Sequence, residues 1–390
     1  MRVVFSFPHV LGAPGIGWTA WNQVEGLTRA GHEVHVVAAG LARPVEAASV
    51  ALTLSVAGRR IPHRAVGRDR AFVWHDRRAA RRVRAVRPDI VHLWPLGAGA
   101  AATAGHEVGA AVLREAPNTH TAHAWEVVAA EVARLGLHDR VRTAHTANAE
   151  HLRMEQAEWD AATAILAPSE PVAASFRAAG FADDRILRHR YGYRPSSRRV
   201  RPRTGDRPLR AVYVGLGEPR KGLHHALAAW KASTASRGGE LTVVGRMLPG
   251  YADLLRDDLG LPGVRTVGFS EDVSSVLAAS DVLLLPTLEE GSALVTYEAQ
   301  GAGCIPLVST AAGADLEDGV HGFVHTPGDV DALRWHLDRL QIDPALRTWM
   351  SASCLEHAPA LTWDVAAARL AEVYAEACGR DTVDEHEFAA

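Results

Sequence analysis

A unit of strand, glycine-rich loop, helix and strand opens this chain, and a second series of the same kind begins past its midpoint. Such units bury their strands in a parallel sheet covered by helices. Residues 3–7 form the first apolar run. The loop Gly12-Ala13-Pro14-Gly15-Ile16-Gly17 follows, then a helix with Trp21, Val24, Leu27 and Thr28 at helical spacing, closed by Gly31, then a strand over 34–37. Further strands are predicted over 89–94, 111–114 and 164–167. From Leu209 onward, strands over 209–214, 241–244, 264–267, 282–285 and 305–308 alternate with helices, the first with Leu223, Ala226, Leu227 and Trp230 on one face. The stretch 191–208 is rich in Arg, Pro and Ser, lacks periodicity and reads as a linker. The fold class expected is α/β, as two Rossmann-like domains over 1–200 and 209–362 with a last helix over 363–378.

Composition bounds the function. A length of 390 residues suffices for two cores, and 22% charged with 47% apolar residues is ordinary for a globular protein. The net charge of −3 argues against nucleic acid as the main partner. Cys304, Cys354 and Cys378 stand far apart without a CxxC pattern, so a reducing compartment is expected, with neither a disulfide framework nor a metal site. The start, with one Arg and an apolar run broken by Pro8, reads as a strand and not a signal peptide. No apolar run reaches the roughly 18 residues of a membrane span, and the expected place is the cytoplasm. The polar tail after Gly379 is expected to fray.

The chemistry concentrates after the strand at 282–285. Glu290 and Glu298 are separated by seven residues, with Gly291 allowing a turn and Ser292, Ala293 and Leu294 leading into a helix that ends near Gly301 or Gly303. A helix N-terminus offers unpaired amides and a partial positive charge, a seat for phosphate. Carboxylates repel phosphate but hold hydroxyls. A bound molecule would meet a carboxylate, then amides, then a second carboxylate about two helical turns on. A nucleotide sugar presents sugar, diphosphate and ribose in that order. A chance pair of glutamates is the plainer alternative.

The surrounding sequence, EGSALVTYEAQGAGCIPLV, resembles the E-x7-E signature of retaining glycosyltransferases of the GT-B fold, the group 1 or family 4 type, whose pattern is similar to EGFGLVxLEAMAxGxPVV. It departs from that pattern at Ser292-Ala293, where Phe-Gly is common, and at Gln300, where Met is frequent. The resemblance implies two Rossmann-like domains facing a central cleft, with the last helix crossing back onto the first domain. It covers 209–377 well and the first half loosely.

The loop Gly215-Leu216-Gly217-Glu218-Pro219-Arg220-Lys221-Gly222 follows a strand and opens a helix, so its amides and Lys221 and Arg220 are expected at a phosphate. A dinucleotide fingerprint fails here: Arg220 stands at the third glycine, and Gly245-Arg246 stands where an acidic ribose ligand is needed. The loop resembles the family's VGR-x5-KG element. Lys221 matches the family Lys, Leu216 replaces the family Arg, and Arg220 is the candidate substitute. The alternative is a solvated Arg-Lys pair.

Gly268, at the end of the 264–267 strand, falls where the family meets the nucleotide base through backbone groups. Gly15 and Gly17 match a glycine pair near donor and acceptor, with a purely structural turn as the alternative. His120 is the choice for the family's histidine near the donor sugar, with His123 as runner-up, and hydrogen bonding is the expected role rather than general-base duty. Ser169 matches a family serine or simply caps a helix. The arginine-dense segment 59–87 reads first as a solvated helix face; a landing patch for an anionic acceptor or a membrane surface is the sharper reading, not favoured because its apolar face is weak.

The function expected is sugar transfer from a nucleotide-diphosphate sugar to an acceptor hydroxyl with retention, needing no cofactor and no metal, with Glu290, His120 and Lys221 as the catalytic set. UDP-linked donors are slightly favoured by family frequency. Two alternatives stay open: an epimerase or hydrolase acting on the nucleotide sugar alone, and a non-catalytic partner subunit. Base, sugar and acceptor are not read from the sequence.

Overall fold

A computed structural model describes residues 1–56, 59–61, 67–196 and 207–387. The middle of the linker at 191–208, part of the 59–87 segment and the last three residues lie outside these. The chain forms two compact units, one of Met1–Pro117, Asn148–Tyr191 and everything from Trp363 on, the other of Asn118–Ala147 and Gly192–Thr362.

The first unit carries a parallel sheet ordered Ser49–Leu52, Glu33–Leu41, Arg2–Leu11, Ile90–Leu93, Ala111–Glu115, Ala164–Ala167, Ile186–Arg188. Its central strand outruns the expected 3–7 because pairing with Glu33–Leu41 resumes after a register shift between Phe7 and Val10. That irregularity houses Pro8, which has no amide for a ladder. Residues 363–387 form one helix, Trp363–Glu387, longer than expected and running through the tail predicted to fray. Leu370, Val373, Tyr374 and Ala377 on it join Phe5, Trp21, Val24 and Leu27 in one buried cluster. Gly26 makes this approach possible, since a Cβ there would lie 2.5 Å from the Ala367 methyl.

A buried carboxylate pins this unit together. Glu115 ends its strand fully enclosed, accepting from Tyr191 (2.8 Å) and Gln23 (3.1 Å) and pairing with His189 (3.0 Å) and His92 (3.1 Å). His92 also meets the Tyr374 hydroxyl at 2.6 Å. Burial alone would raise the Glu115 pKa, yet His189 and His92 hold it well below the ordinary range.

The second unit carries a sheet ordered Val264–Gly268, Glu240–Val244, Arg210–Val214, Val282–Leu285, Ile305–Ser309, Phe323–His325. Its core holds Tyr213, Trp230 and Tyr251, all essentially inaccessible. Here the expected first domain of 1–200 needs correction: 118–147 belongs to this unit. Leu137 is buried in its core and Glu131 reaches His224 at 2.6 Å, contacts between residues far apart in sequence that no local pattern announces. Among the described residues no helix is long and apolar enough to cross a membrane.

In both sheets the strand order reverses once. In the second unit the reversal falls between Arg210–Val214 and Val282–Leu285. The carboxyl ends of strands at such a point open a crevice for ligands, and the loops that follow these two strands carry the residues of interest.

Candidate functional site

Gly222 sets the geometry of the site. It sits at φ 68°, and a Cβ there would collide with the Pro286 carbonyl. A backbone without a side chain therefore lets the loop after Arg210–Val214 lie against the loop after Val282–Leu285. The amide of Leu288 and the hydroxyl of Thr287 both donate to the Arg220 carbonyl, at 2.8 and 3.0 Å. Arg220, Lys221, Glu289 and Glu290 converge as a result.

Lys221 Nζ contacts Glu290 Oε2 directly. Arg220 is nearly enclosed by carboxylates: its Nε donates to Glu218 (3.0 Å), its Nη1 to Glu289 (3.0 Å), and Glu290 lies 3.5 Å away. Glu289 is completely buried and also accepts from the Thr119 amide (3.2 Å) and hydroxyl (2.7 Å), while His145 stands 3.8 Å off. Burial would raise the Glu289 pKa, but Arg220 and Thr119 hold it below the ordinary value. Burial and Arg220 push both Lys221 and His145 down, Lys221 strongly.

Much of the 215–222 loop is satisfied by the protein itself: the amides of Gly215, Gly217, Glu218, Lys221 and Gly222 bond to Val244, Arg246, Leu216, Glu218 and Pro219 carbonyls. Close packing surrounds this loop, with Gly217 against Met247 and the Gly215 carbonyl against Gly245. Arg220, expected to replace the charge missing at Leu216, has its Nε and Nη1 occupied by protein carboxylates.

The turn after Glu290 is also partly self-satisfied. Ala293, expected to offer its amide, donates it to the Ala312 carbonyl at 3.0 Å, and Ser292 turns its hydroxyl to Tyr297 (2.7 Å) and the Gly313 carbonyl (3.3 Å). The next helix, Leu294–Gly301, has no side-chain cap, and the amides of Leu294 and Val295 find no acceptor among the described residues. Glu298 follows on this helix; its carboxylate has no hydrogen-bond or ion-pair partner among the described residues, and burial raises its pKa. Gly291 is buried beside Glu290.

His120 is buried and starts the helix Thr121–Arg134, one residue beyond the Thr119 that holds Glu289, whereas His123 is exposed. Gly268 accepts the Gly245 amide at 2.7 Å and adopts φ 69° with open space beside it. In the first unit Gly15 caps the helix Ile16–Arg29 at φ 80° with nothing near its Cα hydrogens, while Gly17 is packed against the Val10 carbonyl, 2.5 Å from where a Cβ would stand. Ser169 caps the helix Glu170–Ala178 through Val172.

Sequence reasoning missed Glu289, Glu218, Thr119 and His145. The doublet Glu289-Glu290 after a buried strand carried a signal, since one of two adjacent acids there faces inward and needs a cation. Glu131, His224 and His225 bring donor atoms within 4.8 Å of one another, a possible metal geometry. However, Arg134 Nη2 lies 2.6 Å from Glu131 Oε1 and 3.4 Å from His225, so a guanidinium already stands where a cation would sit.

Two parallel-sheet Rossmann-like units with this loop arrangement define the GT-B class. Solved structures of that class superpose over nearly the whole chain: the lipopolysaccharide outer core galactosyltransferase WaaB gives a TM-score of 0.69 at 16% identity over 96% of this chain and 99% of that one. Anabaena HepE in complex with UDP gives 0.66 at 16% identity over 96% of this chain and all of that one. Residues 14–188 match the family described as Glycosyltransferase Family 4 and residues 208–343 that described as Glycosyl transferases group 1, so the chain belongs to the group 1 glycosyltransferases. Among named relatives, the MMP alpha-(1->4)-mannosyltransferase of Mycolicibacterium hassiacum is 32% identical over 189 residues, 46% of each chain. The D-inositol 3-phosphate glycosyltransferase of Thermomonospora curvata is 38% identical over 112 residues, 27% of this chain and 25% of that one. The matched stretches thus span less than half the length of these relatives.

Proposed function

We propose that this chain moves a sugar from a nucleotide-diphosphate sugar to an acceptor hydroxyl, with retention of the anomeric configuration. One observation carries the reading. At the strand-order reversal of the second sheet, the Lys221–Glu290 pair, then two helix amides and the Glu298 carboxylate, these last without partners among the described residues, occur in the order that sugar, diphosphate and ribose require. UDP is the favoured nucleotide, supported by HepE, a fold relative solved with UDP and with UDP-glucose.

In this reading Glu290 accepts hydrogen bonds from sugar hydroxyls. Lys221 exchanges its Glu290 contact for a phosphate oxygen, and with the Leu294 and Val295 amides stabilises the charge that develops on the departing diphosphate. A phosphate oxygen of that leaving group takes the acceptor proton as the new glycosidic bond forms on the same face. Glu289 holds Arg220 and Thr119 together, which positions Lys221 and the segment bearing His120. His120 hydrogen-bonds to the donor sugar. The cytoplasm is the proposed place, supported by three widely spaced cysteines without a CxxC pattern, a usage suited to a reducing compartment.

The test is calorimetry with UDP, GDP, ADP and TDP, followed by turnover of the matching nucleotide sugars with and without alcohol acceptors. Binding of one diphosphate and acceptor-dependent product carry the reading, with loss of turnover but retained diphosphate binding in Glu290→Gln. Turnover without acceptor moves the assignment to a nucleotide-sugar epimerase or hydrolase. A folded protein that binds none of the four removes it.

A further inference from the structure

The helix Arg68–Val86 of the first unit presents one exposed stripe. Arg70, Val73, Trp74, Arg77, Arg78, Arg81 and Arg84 are all exposed and recur at helical three- and four-residue spacing, so they share one face. Ala71, Phe72, His75, Ala79, Ala80 and Val83 fill the opposite, buried face. Its two acidic residues lie off the stripe: Asp69 precedes it in the first turn, and Asp76 accepts from the Ala100 and Ala101 amides at 2.7 and 2.9 Å. Arg84 is paired with Glu107 at 2.6 Å. For Arg70, Arg77, Arg78 and Arg81 no ion pair is found among the described residues.

Five guanidinium groups on one helix face repel one another and reward an anionic partner. The middle of the stripe is apolar. Val73 and Trp74 are 48% and 47% exposed, and the Arg78 guanidinium lies 5.0 Å over the Trp74 ring. The indole N–H donates to the Thr53 carbonyl at 3.0 Å, which fixes the ring at the surface. We infer that this stripe docks the protein on an anionic phospholipid surface, arginines to the headgroup phosphates and Trp74 with Val73 to the headgroup–acyl boundary. Charge complementarity selects an anionic occupant. A single convex row with an exposed tryptophan and valine at its centre selects a bilayer over a duplex, which would contact the arginines and leave those two side chains in water. The sequence alone did not favour this, because its apolar face is weak. The structure supplies what that reading lacked, placing Val73 and Trp74 among the arginines on the exposed face rather than in the core.

The experiment is vesicle cosedimentation of the full chain, with phosphatidylglycerol mixed into phosphatidylcholine against phosphatidylcholine alone. Binding to the mixed vesicles only, falling as salt rises, is expected. Arg77→Glu with Arg81→Glu should weaken it at least about tenfold, whereas Arg256→Glu, an exposed charge reversal in the second unit, should leave it unchanged. All these side chains are solvent-facing, so circular dichroism should not change. Trp74→Ser should weaken binding with its charge dependence intact. Equal binding to both vesicle types, or full binding by the double variant, overturns the inference. So does a Trp74→Ser variant that binds as well as the parent while duplex DNA displaces the vesicles, which would mark a general polyanion site. None of these readouts depends on sugar-nucleotide turnover.

Discussion

Glu298→Gln separates a ligand-binding carboxylate from a structural one. In the protein alone this carboxylate has no partner among the described residues, and burial raises its pKa. The folded state therefore disfavours the charged form, and removing the charge breaks no native bond. Unfolding stability of the variant should be unchanged or slightly higher at neutral pH. With a nucleoside diphosphate bound, the proposed partners are the two ribose hydroxyls. A hydrogen bond to a charged acceptor contributes about 1.5–3 kcal/mol against about 0.5–1.5 for a neutral one, so the glutamine should cost about 1–3 kcal/mol. That is roughly a 5- to 150-fold loss of UDP affinity. Calorimetry with UDP and 2′-deoxy-UDP on parent and variant forms a double-mutant cycle, and the deoxy penalty should shrink in the variant. For the parent, UDP affinity should also fall with acidity as the carboxyl takes up its proton, beginning above its ordinary value of 4.5. An unchanged UDP affinity, or a variant with a lowered melting temperature and an undiminished deoxy penalty, refutes the assignment.

Glu289→Ala should behave oppositely: it removes one of the carboxylates around the buried Arg220 guanidinium and strands the Thr119 amide and hydroxyl, costing about 1–3 kcal/mol for each donor left unsatisfied in a urea titration. Gly222→Ala forces a side chain into both a left-handed backbone and the Pro286 carbonyl, whereas Gly15→Ala meets only the backbone cost of its unusual φ/ψ, about 1–3 kcal/mol; thermal melts that rank Gly15→Ala as the worse variant contradict the packing described. His225 and His325 have pKa values lowered from 6.5 to about 4 by burial. The unfolded chain binds more protons between those values, so the stability they contribute is fully present above pH 6.5. It is lost as pH falls toward about 4, at up to about 1.4 kcal/mol per pH unit for each histidine. Chemical denaturation that shows no loss across that window in the parent, or the same loss in a His225→Phe/His325→Phe variant, argues against it.

Buried parallel strands were legible because they are nearly continuous apolar runs bounded by glycine and proline. Residues 111–114, 282–285 and 305–308 needed only their own composition. The short strands Ser49–Leu52, Ile186–Arg188 and Phe323–His325 were not read; two lie at the edges of the first sheet and one at the edge of the second, where few side chains must be apolar. Glu290, Lys221 and Glu298 stood out through a linear motif, since a strand end, a tight turn and a helix start are local events.

Spacing along the chain thus determined two α/β halves, their strand-to-helix loops and the carboxylates and cations those loops carry. Tertiary structure alone decided what each group faces. Residues 118–147 join the second unit through Leu137 and Glu131, Glu289 is sealed between Arg220 and Thr119, five amides of the 215–222 loop close on neighbouring carbonyls, and Glu298 is left without a partner among the described residues. The reason is physical: a residue's own sequence neighbourhood sets its backbone, but its charge is stabilised or stranded by side chains from 69 to 170 residues away, which only the folded chain brings within hydrogen-bond reach.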